Sequence, residues 1–247
     1  MEKISKVLLT RQGRKFFVKD PDRDVHTQYG FVRKDDIKKA KDGDGLRSNT
    51  NKEFFVFSAQ FIDIYRKIKR DAQIIPLKDI GLIIAETGIN KKSRILDAGS
   101  GSGALSCFLA AISKEVITYE IRQDFIDIVK ANIDFLGLKN IKIKKVDIYE
   151  NIDDKNFDLI TLDLPEPWKA LDNCSRALKP GGFLVSYSPS VPQVSDFVNA
   201  IRKNENFVYL KTSEIIEREW EVEERKVRPK SAAIGHSGFL SFARKIR

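Results

Sequence analysis

The sequence has no long apolar segment, and this absence sets the first limits on what the protein can be. None of its stretches approaches the roughly 18 consecutive uncharged apolar residues that a membrane-spanning helix needs. The first residues, MEKISKVLLTRQGRK, contain no apolar core of the secretory type. We therefore expect a cytoplasmic protein without a membrane partner.

Cysteine and histidine are also scarce. The chain has two cysteines, Cys107 and Cys174, and two histidines. The cysteines are far apart and form no CxxC pair, so they indicate neither a zinc cluster nor a disulfide scaffold. We expect buried thiols and no metal. A disulfide is the alternative if the source is a hyperthermophile, an origin with which the many Lys, Glu and Ile residues agree.

What the chain does contain is enough apolar residues for one full-sized core and a small extra domain, with 42% hydrophobic residues in a length of 247. Its 44 Lys and Arg residues exceed its 35 Asp and Glu residues, and the net charge of +9 favours a polyanionic partner. Lysine-rich runs such as KIKK at 142–145 are as readily solvated surface. In two other segments, RQGRKFFVK and ERKVRPK, basic residues alternate with aromatic or turn residues. These segments are better candidates for contacts with nucleic acid. The candidate residues are Arg11, Arg14, Lys15, Arg225 and Arg228.

The chain divides into three regions by pattern. Residues 1–58 contain short strand-like runs (VLLT, FFV, YGFV) separated by glycine, proline and a DGDG turn, which predicts a small β-rich domain that is a candidate for RNA binding. Residues 59–72 form a linker in which FIDIYRKI, at 61–68, has helical spacing. The third region, residues 73–247, has a different pattern.

In this third region strand-like apolar runs alternate with segments of helical period. The strand-like runs are RILDA, VITYEI, IKIKKVDI, FDLITLDL, GFLVSYS, FVYLKTSEI and GFLSFARK. Such alternation predicts an α/β fold, with a mainly parallel sheet covered by helices on both faces. The last two strands are joined by EREWEVEERKVRPK, which shows no crossover helix, so we expect the final strand to be antiparallel. Seven strands with one reversed resemble the Rossmann-like sheet of methyltransferases.

The first strand of this sheet runs directly into a glycine-rich loop. Glycines at this strand-to-helix turn let a ligand approach the backbone at the crevice of an open α/β sheet. The loop also satisfies the degenerate dinucleotide pattern G-x-G-x-x-A, so a nicotinamide or flavin enzyme is one alternative. Asp97 argues for S-adenosylmethionine instead, because its carboxylate disfavours a pyrophosphate and suits a cationic sulfonium or ammonium group. The candidate cofactor-binding residues of the loop are Gly99, Ser100, Gly101, Ser102 and Gly103.

Two further acids end the next two strands. Glu120 ends VITYEI, where an acid can accept hydrogen bonds from both ribose hydroxyls of an adenosine. Asp147 ends IKIKKVDI and can accept a hydrogen bond from the adenine amino group. Ile121 and Ile148, the residues that follow these acids, are included among the cofactor-binding candidates. Solvated strand-end acids are the alternative, but one acid per strand fits a nucleoside that carries a positive sulfur.

The fourth strand ends in LDLPEPW, which places Asp163 at the same crevice. Pro165 and Pro167 restrict the backbone, so we expect a rigid corner with Asp163 directed at the reactive end of the cofactor. If the methyl acceptor is N1 of an adenine, a carboxylate that accepts a hydrogen bond from N6 stabilises the charge that develops on the base. Trp168 either packs beside that base or covers the core.

Five segments together resemble a known family: LDAGSGSG, LDLPEPW, AQIIPLKD at 72–79, REWEV at 218–222 and IGHSGFL at 234–240. They resemble the tRNA (adenine-N1)-methyltransferases that modify adenine 58 of the T-loop, and also adenine 57 in archaeal members. The resemblance covers approximately residues 73–245. It implies a class I S-adenosylmethionine-dependent methyltransferase with a small N-terminal β domain, assembled as a homotetramer and acting on tRNA.

The resemblance also assigns roles to individual residues. Gln73 and the glycine loop hold the cofactor, Glu120 its ribose and Asp147 its adenine region. Asp163 is the catalytic acid and also borders the cofactor. His236, in IGHSGF, is either a residue at the rim of the active site or a structural histidine before the last strand.

One position departs from the family pattern. Many bacterial relatives carry a tyrosine in a Q-x-x-Y-P-K-D segment that closes over the substrate base, whereas this chain has Pro76 there. Stacking on the base would then fall to Trp168 or Tyr187. Two other functions remain open from the sequence: methylation of another acceptor by the same fold (another RNA base, a precorrin or a protein), and RNA binding without catalysis.

Overall fold

The computed structural model describes residues 2–71, 73–232 and 234–247. The chain forms two compact units, of which the first comprises residues up to 68 together with 134–137. The second comprises residues 69–133 and 138–247. No helix in the described part of the chain is long and apolar enough to cross a membrane.

The first unit is built on a four-stranded antiparallel sheet of order β2-β1-β6-β5, beside a two-stranded hairpin, β3-β4. Its elements are β1 (Lys6–Leu9), β2 (Lys15–Val18), β3 (Val25–Thr27), β4 (Gly30–Val32), α1 (Lys34–Lys39), β5 (Gly45–Arg47), β6 (Glu53–Ser58) and α2 (Phe61–Tyr65). One face of the four-stranded sheet carries a core that includes Leu8, Phe54 and Val56. Helix α2 ends at Tyr65, so it is shorter than the 61–68 segment for which the sequence predicted helical structure.

The second unit contains the α/β layers. Its elements are α3 (Leu77–Thr87), β7 (Arg94–Ala98), α4 (Ala104–Ile112), β8 (Glu115–Glu120), α5 (Gln123–Leu136), β9 (Ile141–Lys145), β10 (Phe157–Leu162), a 3-10 helix (Pro167–Ala170), α6 (Leu171–Ala177), β11 (Leu178–Ser188), α7 (Val191–Lys203), β12 (Phe207–Ser213), β13 (Trp220–Glu223), β14 (Lys226–Pro229) and β15 (Phe239–Lys245). The last residues of α5, 134–136, belong to the first unit.

The large sheet has seven strands in the order β12-β15-β11-β10-β7-β8-β9. The neighbours β7, β8, β9, β10 and β11 run parallel, whereas β15 is antiparallel to both β11 and β12. This topology confirms the predicted fold, including the reversed last strand. The segment without a crossover helix contains the hairpin β13-β14, which explains the reversal, because a chain that does not cross the sheet returns antiparallel.

The core of the large sheet lies around its central strands. Leu96, Ile160 and Leu184 have no exposed surface, as expected for parallel strands that helices cover on both faces. Cys107 and Cys174 are buried and free, which confirms the prediction of buried thiols over a disulfide. Burial in apolar surroundings raises the pKa of the Cys107 thiol to about 12 and also raises that of Cys174.

Candidate functional site

A pocket opens at the carboxyl ends of β7 and β10, two neighbouring parallel strands at the centre of the sheet. Loops that follow parallel strands meet at this edge, which is where open α/β sheets bind ligands. The lining residues are Gln73, Ile74, Ile75, Asp97, Gly99, Ser100, Gly101, Ser102, Ala104, Leu105 and Asp163. The structure thus brings together the predicted glycine loop, Gln73 and two of the predicted acids.

The glycine loop needs its glycines for close approach. Gly99 has φ +84°, and a Cβ there would lie 2.0 Å from the carbonyl oxygen of Asp163. Gly103 has φ +74°, and a Cβ there would lie 3.0 Å from Val129 Cγ2 on α5. The loop therefore fits between the Asp163 corner and α5, and a side chain at either position would force one of them away.

Asp97 is almost fully buried, with 2% of its surface exposed, and its carboxylate accepts hydrogen bonds from two side chains. Thr118 Oγ1 donates to it over 2.9 Å and Thr161 Oγ1 over 2.8 Å. Both threonines are its register partners on the neighbouring strands β8 and β10. Burial raises the pKa of Asp97 to about 6, and the charge of Glu120 adds to this, while the two hydroxyl donors act in the opposite direction.

Asp163 follows the last residue of β10, and its N–H donates to the carbonyl of Ala98 over 2.9 Å. This bond fixes its backbone beside the end of β7. The side chain is half-buried in the pocket wall. Burial raises its pKa to about 7, and the charge of Asp97 adds to the effect.

Glu120 organises the loop rather than lining the pocket. It is 8% exposed and accepts the N–H of Gly101 over 3.1 Å, as well as the N–H groups of Ile121 and Arg122 over 2.9 and 3.0 Å. One of its oxygens, Oε2, also lies 3.4 Å from Ser100 Oγ. Its role toward a ribose stays a prediction.

Asp147 lies further from the sheet than the sequence indicated. The strand β9 ends at Lys145, and Asp147 Oδ1 accepts the N–H of Tyr149 over 2.8 Å in the following turn. The two isoleucine candidates differ, since Ile121 is 57% exposed and Ile148 only 3%. Ile121 is therefore the one of the two with apolar surface to offer a ligand.

The corner after Asp163 is held by neighbouring elements. Gln193 Nε2 donates to the carbonyl of Pro165 over 3.0 Å, and the N–H of Glu166 donates to Tyr149 Oη over 3.3 Å. Pro167 occupies the first turn of the 3-10 helix, where its missing N–H is not needed. Trp168 is half-buried against the main core, so a large part of its indole packs inward.

Tyr187 and His236, which were also predicted to bind the substrate, both form hydrogen bonds within the protein. Tyr187 is 7% exposed, its hydroxyl donates to the carbonyl of Ser237 over 2.5 Å, and its ring lies against Gly238. Burial raises the pKa of Tyr187 to about 12. A buried ring offers no open face to a base, so the structure gives the predicted stacking by Tyr187 no support.

His236 is exposed at the surface, where Nδ1 lies 2.6 Å from Glu214 Oε1 and Nε2 lies 3.0 Å from the carbonyl of Pro189.

A buried ion pair lies next to this region and was not predicted. Lys78 Nζ lies 2.9 and 3.0 Å from the two carboxylate oxygens of Asp79, and also donates to Ser237 Oγ over 2.6 Å. Ser237 Oγ in turn donates to Asp79 Oδ2 over 2.8 Å. The network joins the first turn of α3, which starts directly after Pro76, to the segment before β15. Its sequence signal was the charged pair KD inside an otherwise apolar stretch.

The five basic candidates for nucleic-acid contacts fall into two groups. Arg11 pairs with Glu53 at 2.8 Å, Lys15 with Asp63 at 2.6 Å and Arg228 with Glu221 at 2.6 Å. In the described part of the chain Arg14 and Arg225 are exposed and form no ion pair. Among the described residues, the charge of this second group is therefore not engaged in an ion pair.

The strand order, the glycine loop after β7 and the acids around it define a class I S-adenosylmethionine-dependent methyltransferase. Two solved structures have this fold along nearly their whole length. An S-adenosylmethionine-dependent O-methyltransferase of Thermotoga maritima is similar with TM-score 0.88 and 27% identity, covering 100% of this chain and 94% of its own. The tRNA (m1A58) methyltransferase TrmI of Aquifex aeolicus is similar with TM-score 0.83 and 26% identity, covering 100% and 99%.

The sequence comparisons narrow the class to a family. Residues 66–228 match the family described as "tRNA methyltransferase complex GCD14 subunit". The tRNA (adenine(57)-N(1)/adenine(58)-N(1))-methyltransferase TrmI of Methanocaldococcus jannaschii is 35% identical over 97% of this chain and 94% of its own. The tRNA (adenine(58)-N(1))-methyltransferase TrmI of Thermus thermophilus is 31% identical over 97% and 96%. The chain belongs to this tRNA methyltransferase family, as its motifs predicted.

Proposed function

We propose that the protein transfers the methyl group of S-adenosylmethionine to N1 of adenine 58, and also of adenine 57, in the T-loop of tRNA. The observation that carries the proposal is Asp163, which lines the same pocket as the glycine loop. Membership of the family supports tRNA as the substrate. The relative from Methanocaldococcus jannaschii, named for both adenines, supports the pair of positions.

The chemistry of the pocket fits S-adenosylmethionine. Among the described residues that line it, Asp97 and Asp163 are ionisable and neither lysine nor arginine occurs, which suits a ligand with positive sulfur and ammonium groups. The left-handed backbone of Gly99 and Gly103 lets the loop lie close against the Asp163 corner and Val129, contacts that a Cβ at either position would block. Gln73 and the glycine loop would hold the ligand, and Glu120 would reach the ribose from the end of β8. When bound, the cofactor supplies an electrophilic methyl group on a good leaving group.

Asp163 provides the chemical assistance that the acceptor needs. N1 of adenine is a weak nucleophile, and its methylation leaves a positive charge on the base. The carboxylate of Asp163 accepts a hydrogen bond from the N6 amino group, which increases the electron density at N1 and stabilises the new cation. The hydrogen bond from its N–H to Ala98 holds this residue at the pocket, and the proline corner restricts its movement.

The test is methylation of an unmodified tRNA transcript in the presence of S-adenosylmethionine, read by nucleoside mass spectrometry and by mapping of reverse-transcriptase stops. We expect N1-methyladenosine at positions 58 and 57. Asp163→Ala should reduce the methylation rate by roughly two to three orders of magnitude while tRNA affinity persists, because only transition-state stabilisation is lost. Absence of N1-methyladenosine with the unaltered protein would refute the proposal, and an unchanged rate in the variant would remove Asp163 from the mechanism.

The assembly that we propose is a homotetramer in the cytoplasm. The hairpin β13-β14 supports self-association, because Trp220, Val222 and Val227 share one face of the hairpin and are 53%, 67% and 56% exposed. Clustered exposed apolar residues of this kind mark surfaces of interaction. Light scattering of the purified protein tests the tetramer, since a mass other than that of four chains would contradict it.

A further inference from the structure

Asn132 is a buried amide on α5 that takes no part in the proposed reaction. It has no exposed surface, and its side-chain amide forms three hydrogen bonds with the backbone. Asn132 Oδ1 accepts the N–H of Lys69 over 2.8 Å, and Nδ2 donates to the carbonyls of Lys69 over 2.9 Å and Ser102 over 2.8 Å. A single side chain therefore fastens two segments that are distant from each other in the sequence.

These two segments form two walls of the cofactor pocket. Ser102 belongs to the glycine loop, and Lys69 begins the segment that leads to Gln73, Ile74 and Ile75. We name residues 69–71 and 73–75 the covering segment. A second bond joins the same walls, since the N–H of Asp71 donates to Ser102 Oγ over 3.1 Å. The distance between the glycine loop and the covering segment is therefore set by Asn132 and Ser102.

The face of α5 that carries Asn132 also supports the loop directly. Val129 lies three residues earlier and hence on the same side of the helix. A Cβ on Gly103 would lie 3.0, 3.1 and 3.4 Å from three carbons of Val129, so the loop already packs closely against this side of α5. The helix thus acts as a fixed base on which Asn132 holds both walls.

We propose that Asn132 is a positioning residue that shapes the cofactor pocket by holding the covering segment at a fixed distance from the glycine loop. This inference rests on the proposed function. Removal of the amide leaves the carbonyl of buried Ser102, and the N–H and carbonyl of Lys69, without this partner, so the covering segment is free to move away from the loop. The effect falls on cofactor affinity, because Asn132 does not contact the reacting groups.

The test compares Asn132→Ala with the unaltered full-length protein. Calorimetric titration with S-adenosylhomocysteine should give about a 10-fold higher Kd in the variant, as expected from the loss of the hydrogen bonds that join the two walls. In methylation assays the KM for S-adenosylmethionine should rise by a similar factor while kcat at saturating cofactor stays within about twofold. Hydrogen exchange should become faster in the covering segment. General destabilisation would instead lower kcat by reducing the active fraction.

Asn140 provides a matched control. Its Nδ2 also donates to backbone carbonyls, those of Ala110, Ser113 and Lys114, over 2.8, 3.1 and 3.4 Å. These carbonyls lie just before β8, at the amino end of that strand, and thus at the edge of the sheet opposite the pocket. Asn140→Ala should lower the melting temperature and leave the Kd for S-adenosylhomocysteine unchanged.

Three outcomes are distinguishable. An unchanged Kd in Asn132→Ala, or an equal rise in both variants, overturns the inference and leaves the proposed function intact. If the unaltered protein itself binds no cofactor and methylates no tRNA, the proposed function fails instead. If Asn132→Ala does not fold, Asn132→Ser is measured in the same way, because its small polar side chain is one bond too short to bridge Lys69 and Ser102; an unchanged Kd there overturns the inference as well.

Discussion

At the scale of single residues, the environment of Asp97 and Asp163 gives their carboxyl groups pKa values above those of ordinary aspartates. Burial raises the pKa of Asp97 to about 6 and that of Asp163 to about 7. Their protonated forms are favoured by lack of solvent and by the charge of the neighbouring acid. A positive ligand in the same pocket favours the ionised forms, so the cluster suits a cationic cofactor better than its neutral product.

The raised pKa of Asp163 leads to a prediction about stability. Its pKa rises from 3.8 to about 7 on folding, so between these pH values the folded protein binds a proton that the unfolded chain does not. The folded state therefore loses stability through this group as pH rises through that window. Asp163→Asn removes the penalty, and we expect the melting temperature of the variant, relative to the unaltered protein, to be higher at pH 8 than at pH 4.5.

Thermal unfolding of both proteins at the two pH values measures this difference. If the difference in melting temperature between the variant and the unaltered protein is the same at both pH values, Asp163 ionises in the folded protein as easily as in the unfolded chain. The same substitution should slow methylation, so stability and activity change in opposite directions, as is common for residues of active sites.

The sequence was sufficient to find those residues whose role depends on position along the chain. Asp97 lies next to the last residue of β7, and the glycine loop and Asp163 follow β7 and β10; strand ends of this kind can be located from apolar runs. Thr118 and Thr161 could not be found in this way, because their bonds to Asp97 depend on the register between strands. The burial of Tyr187 was equally inaccessible, since it depends on the close approach of Gly238.

At the scale of secondary-structure elements, the buried pair of Lys78 and Asp79 joins the start of α3 to the segment before β15. Their side chains are 9% and 0% exposed. Removal of one partner from a buried pair leaves an uncompensated charge, which costs roughly 3–5 kcal/mol. We predict that Lys78→Met lowers the free energy of unfolding by an amount in this range, and that Lys78→Met combined with Asp79→Asn restores most of it.

Denaturant unfolding measures the effect, and an exposed pair in the same unit serves as control. Lys211 and Glu86 lie 2.6 Å apart with side chains 42% and 36% exposed, so Lys211→Met should cost less than about 1 kcal/mol. If both single variants lose the same stability, the buried pair has no special structural role. If the double variant is no better than Lys78→Met, the loss comes from packing rather than charge.

Elements with a strong apolar period were predictable, and those without one were not. All seven strands of the large sheet were found from their apolar runs, with differences at their ends. Helix α1 was missed because Ile37 is its only buried residue. The hairpin β13-β14 was missed because its charged residues obscured the alternation of Trp220, Val222 and Val227, which only the cross-strand pairing makes visible.

At the scale of the whole molecule, the net charge of +9 favours a polyanion, but its ion pairs determine which residues can act on phosphates. Arg11 keeps its charge in a 2.8 Å pair with Glu53, so a phosphate would have to compete with that carboxylate. Arg14 and Arg225 have no such competitor in the described part of the chain. The composition was enough to predict a polyanionic partner. Distinguishing paired from unpaired arginines required the positions of the acidic side chains in the structure.

The division predicts how tRNA binding depends on salt. Each phosphate contact releases counterions, so loss of one contact reduces the slope of log K against log salt by about one. We expect Arg14→Gln and Arg225→Gln each to reduce the slope by about one, and Arg11→Gln to reduce it by clearly less. Binding of a tRNA transcript, measured by filter retention across a range of KCl concentrations, gives the three slopes. Equal reductions in all three would show that the pair with Glu53 opens on binding, and no reduction in any would assign these arginines to solvated surface.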